Sequence, residues 1–259
     1  MQRRHLLQLA GCSALAACAP RWPGPSRGVR AVAFDLFTLF DPRTVDRRVS
    51  TVITGDPAAF ATTWKTRLFE YCWIRASAGH YAAFDRLVVD SLAYAATAHR
   101  ITLSGTESRH LASAFTELDP WPDASGALRE LRTRGLRLAP LANFSPAMIQ
   151  SLLARANLQG LFDLQISTDE ARTYKPDPRA YALAERRFDL GRGEIAFAAF
   201  GGWDASGGSW FGFPTFWVNR LAASPEELAA PTASGPDLAH LLDWLAGGAT
   251  PPARPAALG

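Results

Sequence analysis

Short apolar runs alternate with stretches of helical periodicity along most of the chain, from residue 30 to about residue 220. Strands buried on both faces read as continuous apolar runs, and helices between such strands supply the crossovers of a parallel sheet. The pattern therefore predicts an α/β fold built on a parallel sheet. The predicted strands are Arg30–Phe34, Leu136–Ala142, Leu164–Ser167, Ile195–Phe200 and Thr215–Asn219.

Two of the predicted helices have recognisable ends. Asp123 is placed to cap a helix over Ala124–Arg134, and Gly135 is placed to end it. Ser145 is the predicted N-cap of a helix over Ala147–Ala156, with a proline in its first turn.

One interval interrupts this alternation. Between residues 43 and 118 the sequence has helical patterns and no strand pattern, which predicts a helical insertion covering the sheet. We therefore predict a core domain over residues 29–42 and 119–246, with a helical cap domain over residues 43–118. The predicted cap helices are Ala58–Ala78, Tyr81–His99 and Thr106–Leu118.

Polar residues follow three of the predicted strands. Asp35 ends the first strand, Asn143 ends the second, and Asp204 follows the fourth. Ligands of open α/β sheets bind beyond the carboxyl ends of the strands, so these side chains are expected to meet under the cap. A carboxylate at the end of a buried strand is costly without a partner, which makes Asp35 the first candidate for chemistry.

The start of the chain differs in character from the rest. Arg3 and Arg4 precede a short apolar stretch, the layout of a twin-arginine export signal, and the LAAC that ends at Cys18 resembles a lipoprotein processing site. We predict an export or lipoprotein signal over residues 1–18, with Cys18 lipidated and the protein periplasmic or membrane-anchored. A plain secretory peptide is the alternative. Residues 19–28 are a predicted linker, and residues 247–259 a predicted disordered tail.

Charge and composition narrow the class of partner. The chain has 27 Lys and Arg against 24 Asp and Glu, a net charge of +3, and two of those arginines belong to the export signal. Such a balance gives no electrostatic footprint for nucleic acid, so the sequence favours a small-molecule partner. Cys72 lies in an apolar helix and is expected in the core. None of the five histidines has metal-ligand spacing.

Five stretches combine these candidate residues with distinctive neighbours. They are AFDLFTLFD, TWKTRLFEYCWIRA, LANFSP, STDEARTYKPDPRAY and GGWDASGGSWFGFPTFWVNR. Together they resemble the type II 2-haloacid dehalogenases of the haloacid dehalogenase superfamily, over roughly residues 29–245. The resemblance implies a Rossmann-like core with a helical cap, and hydrolysis of short 2-haloalkanoic acids through an aspartyl ester. It implies no cofactor and no metal; family members often form homodimers.

The resemblance also implies roles for particular residues. Asp35 would be the nucleophile that displaces the halide, and Lys175 the cation that keeps the carboxylates ionised. Asp204 would position or activate water, and Thr38 would supply a hydroxyl beside the nucleophile. The implied substrate-binding residues are Lys65, Asn143 at the leaving halide, Tyr181 near the substrate carboxylate, and Phe84 and Trp203 as apolar walls.

Phe37 distinguishes this chain from the superfamily's phosphatases. The phosphatases carry an acidic residue two positions after the nucleophile, which protonates the leaving alcohol. Phenylalanine has no proton to give, whereas a halide needs none in order to leave. The sequence therefore favours a dehalogenase over a phosphatase.

Several positions depart from the family pattern. The nucleophile loop is one residue short, because no glycine precedes Thr38. Ala142 and Phe144 replace a serine and a glycine, and Ala199 and Gly201 replace a serine and an asparagine. These exchanges leave three outcomes open: slow hydrolysis of the ester, an altered substrate range, or a catalytically silent envelope binding protein.

Each candidate also has a purely structural interpretation. The alternatives are a helix cap for Asp35, a surface lysine for Lys175 or Lys65, a strand end for Asn143, and core packing for Phe84 and Trp203.

Overall fold

The structure, a computed structural model, describes residues 28–247, and strands and helices alternate there as predicted. The export signal, Cys18 and most of the predicted linker and tail lie outside the described residues. The strands are β1 Ala31–Phe34, β2 Phe40–Asp41, β3 Asp119–Pro120, β4 Arg137–Ala142, β5 Ile166–Ser167, β6 Ile195–Ala199, β7 Thr215–Val218 and β8 Ala233–Gly235. The α-helices are α1 Arg43–Ser50, α2 Pro57–Ser77, α3 Phe84–Ala98, α4 Gly105–Ala112, α5 Ala124–Thr133, α6 Pro146–Arg155, α7 Pro178–Phe188, α8 Gly202–Phe211 and α9 Leu238–Leu245.

One parallel sheet forms the centre of the protein, with strand order β5-β4-β1-β6-β7-β8. The first strand, β1, lies inside the sheet and pairs in parallel with β4 on one side and β6 on the other. The backbone amide of Asp35 extends this pairing by donating to the carbonyl of Ala198 at 2.9 Å. The residues that follow β1, β4 and β6 therefore lie side by side at the carboxyl ends of the strands, which we call the carboxyl edge of the sheet.

Three details of the strands differ from the prediction. The strand predicted over Leu164–Ser167 contains only its last two residues, as β5. The edge strand β8 was not predicted, because its residues are small and polar and form no apolar run. The short antiparallel pair of β2 and β3 was also missed, and it lies where the chain leaves and re-enters the core.

Helices α1 to α4 occupy the interval predicted to be the cap. α2 and α3 pack together around Trp64, whose indole N–H donates to the carbonyl of Val88 at 3.0 Å. Cys72 is fully buried, as expected, and burial raises the pKa of its thiol. The helix predicted over Thr106–Leu118 is α4 followed by a 3-10 turn over Ser113–Thr116. None of the helices within residues 28–247 is long and apolar enough to cross a membrane.

The predicted helix caps need two corrections. Asp123 precedes α5 but does not cap it; its carboxylate accepts from Arg220 at 2.8 Å and from the amide of Leu238 at 3.0 Å. Ser145 precedes α6 without a side-chain capping bond. Gly135 ends α5 as predicted, with a φ of +79° that favours glycine.

Candidate active site

Asp35 follows β1 and opens a 3-10 turn over Leu36–Thr38. Its Oδ2 accepts from the amide of Phe37 at 3.1 Å, so Asp35 is a helix cap in addition to its other contacts. The Thr38 hydroxyl donates at 2.6 Å to the backbone carbonyl of Asp35, and not to its carboxylate. The shortened loop therefore closes into a hydrogen-bonded turn, in which Thr38 supports the backbone of Asp35.

Lys175 brings the two aspartates together. Its Nζ donates to Asp35 Oδ1 at 2.8 Å and to Asp204 Oδ2 at 2.6 Å. The side chains of Lys175 and Asp204 are each 1% exposed, while that of Asp35 is 13% exposed. We call these three residues the charged cluster. Lys175 is thus a buried cation and not a surface lysine.

Burial and charge set the protonation states in the charged cluster. Burial acts to lower the pKa of Lys175, but the two carboxylates outweigh it and hold that pKa above its ordinary value. Burial raises the pKa of Asp204 to about 6, Lys175 opposes the rise, and Asp35 adds to it. Lys175 therefore carries its charge at neutral pH, and Asp204 is ionised above about pH 6.

The resemblance implies Tyr181 near the substrate carboxylate, and the structure places its hydroxyl against Asp204. Tyr181 is fully buried, it does not line the cavity described below, and its hydroxyl donates to Asp204 Oδ1 at 2.7 Å. Burial and the Asp204 carboxylate raise the pKa of Tyr181 well above its ordinary value, so it remains a neutral donor. Gly207 of α8 makes this contact possible, because a Cβ there would overlap the Tyr181 hydroxyl.

Asn143 is held beside the charged cluster through its amide oxygen. That oxygen accepts from the backbone amide of Lys175 at 2.9 Å and from the Thr168 hydroxyl at 3.3 Å. The two bonds orient the side chain, because an amide whose oxygen is engaged directs its NH₂ the other way. Asn143 lines the cavity, so it does more than end β4.

A cavity of about 250 Å³ opens between the cap helices and the carboxyl edge of the sheet, where Asp35 emerges. Most of its lining is apolar, and five rings in it form one connected set of contacts. Phe84 and Phe144 are stacked at 4.6 Å, and Phe37 meets Phe144 edge-on at 5.7 Å. We call this set the aromatic wall; its members are Phe37, Phe84, Phe115, Phe144 and Phe200.

Lys65 supplies a cation to the cavity from α2. Its side chain is 33% exposed, and its Nζ lies 2.5 Å from Asp46 Oδ1 of α1. Of the described residues that line the cavity, Lys65 alone carries a positive charge. It lies where an anionic substrate can reach it, although Asp46 already holds it.

Trp203 lines the cavity as predicted, and Gly201 makes room for it. A Cβ at position 201 would lie 2.8 Å from the indole Nε1 of Trp203. The ring also meets Phe69 at 5.8 Å and Trp73 at 5.4 Å, both on α2. Gly201 stands where the family has an asparagine. Its lack of a side chain leaves room for Trp203 of the core to contact α2 of the cap.

Residues from outside the cavity hold the 3-10 turn that follows Asp35, which we call the nucleophile turn after the role the resemblance implies, and no local motif predicts this contact. The indole N–H of Trp121 donates to the carbonyl of Phe37 at 3.0 Å. The guanidinium of Arg220 donates twice to the carbonyl of Thr38, at 2.8 and 3.0 Å, and also binds Asp123. Arg220 belongs to the WVNR stretch, but it lies 182 residues from Thr38, so no local pattern could pair them.

The cap also contacts the loop that carries Lys175. The indole N–H of Trp73 donates to the carbonyl of Lys175 at 3.2 Å. The hydroxyl of Tyr174 donates to the carbonyl of Ala82, and that of Tyr81 donates to Asp169. These bonds connect the cap to the charged cluster. Across residues 28–247, His, Cys, Asp and Glu side chains form no group arranged to hold a metal ion.

The chain is similar to known proteins over most of its length. The family model of the haloacid dehalogenase-like hydrolases matches residues 29–212. (S)-2-haloacid dehalogenase H-109 from Pseudomonas putida is 34% identical over 219 residues, which cover 84% of this chain and 98% of that protein. The crystal structure of the L-2-haloacid dehalogenase RSc1362 matches with a TM-score of 0.83 at 39% identity, over 85% of this chain and 99% of that one.

A further match carries a ligand. The L-2-haloacid dehalogenase of Xanthobacter autotrophicus with chloropropionic acid covalently bound matches with a TM-score of 0.80 at 30% identity, over 85% of this chain and 100% of that one. The chain belongs to the 2-haloacid dehalogenase family of the haloacid dehalogenase-like hydrolases.

Proposed function

We propose that this protein hydrolyses the carbon–halogen bond of 2-haloalkanoic acids through an ester on Asp35. One observation carries the proposal: Asp35, bonded to a buried ammonium, opens onto a largely apolar cavity. A carboxylate becomes a usable nucleophile when its charge is held and its water shell is reduced. The covalent chloropropionic acid in the X. autotrophicus structure supports the same chemistry.

The first step forms the ester. An oxygen of Asp35 attacks C2 of the acid, the C2–halogen bond breaks, and the halide leaves with the bonding electron pair. Oδ2 is the better placed oxygen, because it accepts only from the amide of Phe37, whereas Oδ1 accepts from the Lys175 ammonium. The NH₂ of Asn143 faces the leaving halide, and Lys65 pairs with the substrate carboxylate.

The second step returns the enzyme to its starting state. Water attacks the ester carbonyl carbon of Asp35, and Asp204 takes the proton that the water loses. The bond between that carbonyl carbon and the alkyl oxygen then breaks, and the proton of the added hydroxyl passes to the leaving oxygen, which releases the 2-hydroxy acid and restores the Asp35 carboxylate. One water is consumed, and one halide and one proton are released. Tyr181 and Lys175 hold Asp204 in place for this role.

Halide release from 2-chloropropionate by the purified protein tests the proposal, with Asp35→Asn as the control. We expect the variant to lose at least about four orders of magnitude in kcat, as the loss of a covalent nucleophile does elsewhere. Equal release by both proteins would remove Asp35 from the mechanism. A single turnover in ¹⁸O-labelled water should then give an unlabelled product, because the product oxygen comes from Asp35.

A catalytically silent binding protein is the second candidate. Ala142 in the cavity lining and the fully buried Ala199 favour it, since both stand where the family carries a serine. Mass spectrometry after exposure to 2-chloropropionate separates the candidates. An adduct that persists on Asp35 shows alkylation without efficient hydrolysis, whereas an unmodified and inactive protein supports the silent candidate.

We also propose that the protein is exported and anchored by a lipid on Cys18. The support is the twin-arginine layout and the LAAC sequence at the start of the chain. Metabolic labelling with palmitate should mark the full-length protein but not Cys18→Ala. An unlabelled protein in the periplasm would support the plain secretory alternative.

We propose a homodimer on the family resemblance, and sedimentation of the purified protein checks it.

A further inference from the structure

The cavity is larger than a methyl-substituted acid requires. Its volume of about 250 Å³ corresponds to roughly eight waters at the volume each has in the liquid. 2-Chloropropionate carries only a methyl group at C2, so it would leave much of this space unfilled. The space remains although Phe144 takes the place of a smaller family residue.

The unfilled space would be a poor place for water. Water held there would make few hydrogen bonds, because a well-bound water needs two to four polar partners. The side chains that offer charge or amide groups to the cavity are those of Asp35, Lys65 and Asn143, and each already has a role in the proposed reaction. The rest of the lining is mostly apolar: the aromatic wall, the rings of Phe69 and Trp203, and aliphatic neighbours such as Val45 and Leu221.

We infer that the preferred substrate is a 2-haloacid whose C2 substituent is an apolar chain of several carbons. This inference rests on the proposed function and specifies its substrate class. Ala142 extends the apolar lining next to Asn143, because it brings no hydroxyl to the cavity. An alkyl chain buried against these rings and methyl groups gains affinity with each methylene that leaves water.

A series of 2-bromo acids tests the inference. We expect kcat/KM of the full-length protein to rise by roughly fourfold per methylene from 2-bromopropionate to 2-bromohexanoate, as expected for burial of CH₂ groups. A flat series, or one that falls with chain length, would overturn the inference. Halide release from the shortest acid alone would still support the proposed function.

Two variants narrow the cavity, and each has a matched control. Val45→Phe fills the cavity from α1, and Val89→Phe makes the same change at an exposed position of α3. Leu221→Trp acts at a half-exposed position of the lining, where folding is less at risk, and Leu228→Trp is its control. Both lining variants should reduce the ratio of kcat/KM for 2-bromohexanoate to kcat/KM for 2-bromopropionate, while both controls should keep that ratio. Folded lining variants that keep the full preference would contradict the inference.

A binding measurement separates this inference from the proposed function. Calorimetry on Asp35→Asn with 2-bromopropionate and 2-bromohexanoate reports the affinity of the cavity for each acid without any reaction. Tighter binding of 2-bromohexanoate, by tens of fold, supports the substrate class even if no acid is turned over. Equal binding overturns the inference, even if 2-chloropropionate is hydrolysed.

Discussion

The charged cluster, through Asp35, and the aromatic wall meet at the same cavity but are held in different ways. In the cluster, Lys175 binds both aspartates, and each of the four carboxylate oxygens accepts a hydrogen bond. The rings of the wall have no polar partner to satisfy and meet only by packing, as Phe84 and Phe144 do at 4.6 Å. Directional bonds in the cluster fix atoms in place, whereas packing fixes only volume and shape.

The difference shows which part of the site tolerates exchange. Removing one partner from a buried ion pair costs about 3–5 kcal/mol, because the other charge is left unpaired. An aromatic pair contributes only about 0.5–1.5 kcal/mol beyond the area that it buries. Three of the departures from the family pattern, at Ala142, Phe144 and Gly201, line the cavity, and Ala199 ends β6, while all three members of the cluster are retained.

Among the residues that support Asp35, loss of the Lys175 ammonium should have the largest effect. Lys175→Met leaves two neighbouring carboxylates without a cation, so one of them takes up a proton and Asp35 loses its electrostatic support. We expect kcat for halide release to fall by about 10³-fold or more, and the free energy of unfolding to fall by about 3 kcal/mol. Stopped-flow halide release and urea denaturation measure the two effects. A stable variant with normal kcat would show that the cluster is not the reacting centre.

Loss of the Arg220 contacts with the nucleophile turn should have the next largest effect on kcat. Arg220→Met removes both bonds to the carbonyl of Thr38, so the nucleophile turn can shift and Asp35 can lose its aim. A displacement of about 1 Å can cost about 10²-fold in rate, and we expect kcat to fall between tenfold and a hundredfold with KM nearly unchanged. Arg220→Lys should recover part of the rate. A variant that loses stability but keeps kcat would limit Arg220 to a structural role.

The pH profile should report the cluster. Because the pKa of Asp204 is raised to about 6, Asp204 is ionised above that pH and protonated below it. The proposed second step needs the ionised form, and the ester removes the Asp35 charge that adds to the rise, so kcat should fall about tenfold per pH unit starting below pH 6. Steady-state halide release between pH 4.5 and 8 measures this decline. A profile that stays flat down to pH 4.5 would exclude Asp204 as the base.

Tyr181→Phe should have the smallest effect and should distinguish two positions for this residue. The hydroxyl of Tyr181 donates to Asp204 and helps to keep the pKa of that carboxyl down. Its removal should therefore move the acidic decline of kcat to higher pH by less than about one unit, with KM unchanged. A rise in KM with an unmoved pH profile would instead support the contact with the substrate carboxylate that the resemblance implied.

The sequence predicted the elements of the core well, for a local reason. A buried parallel strand needs a continuous apolar run, so β1, β4, β6 and β7 could be predicted from the sequence. β8 was not, because an edge strand of small residues carries no such run. The prediction that Asp35, Asn143 and Asp204 meet followed from one rule about parallel sheets, and the structure brings all three to the carboxyl edge of the sheet.

The tertiary structure decided the contacts between residues far apart in the chain. The sequence determined the α/β class, the helical cap, the carboxylates at the strand ends and the family, because these depend on periodicity and on short motifs. Only the fold showed that Tyr181 lies behind Asp204 and that Arg220 holds Thr38 from outside the cavity. A hydroxyl or a guanidinium finds its acceptor through the path of the whole backbone, and no local pattern of residues records that path.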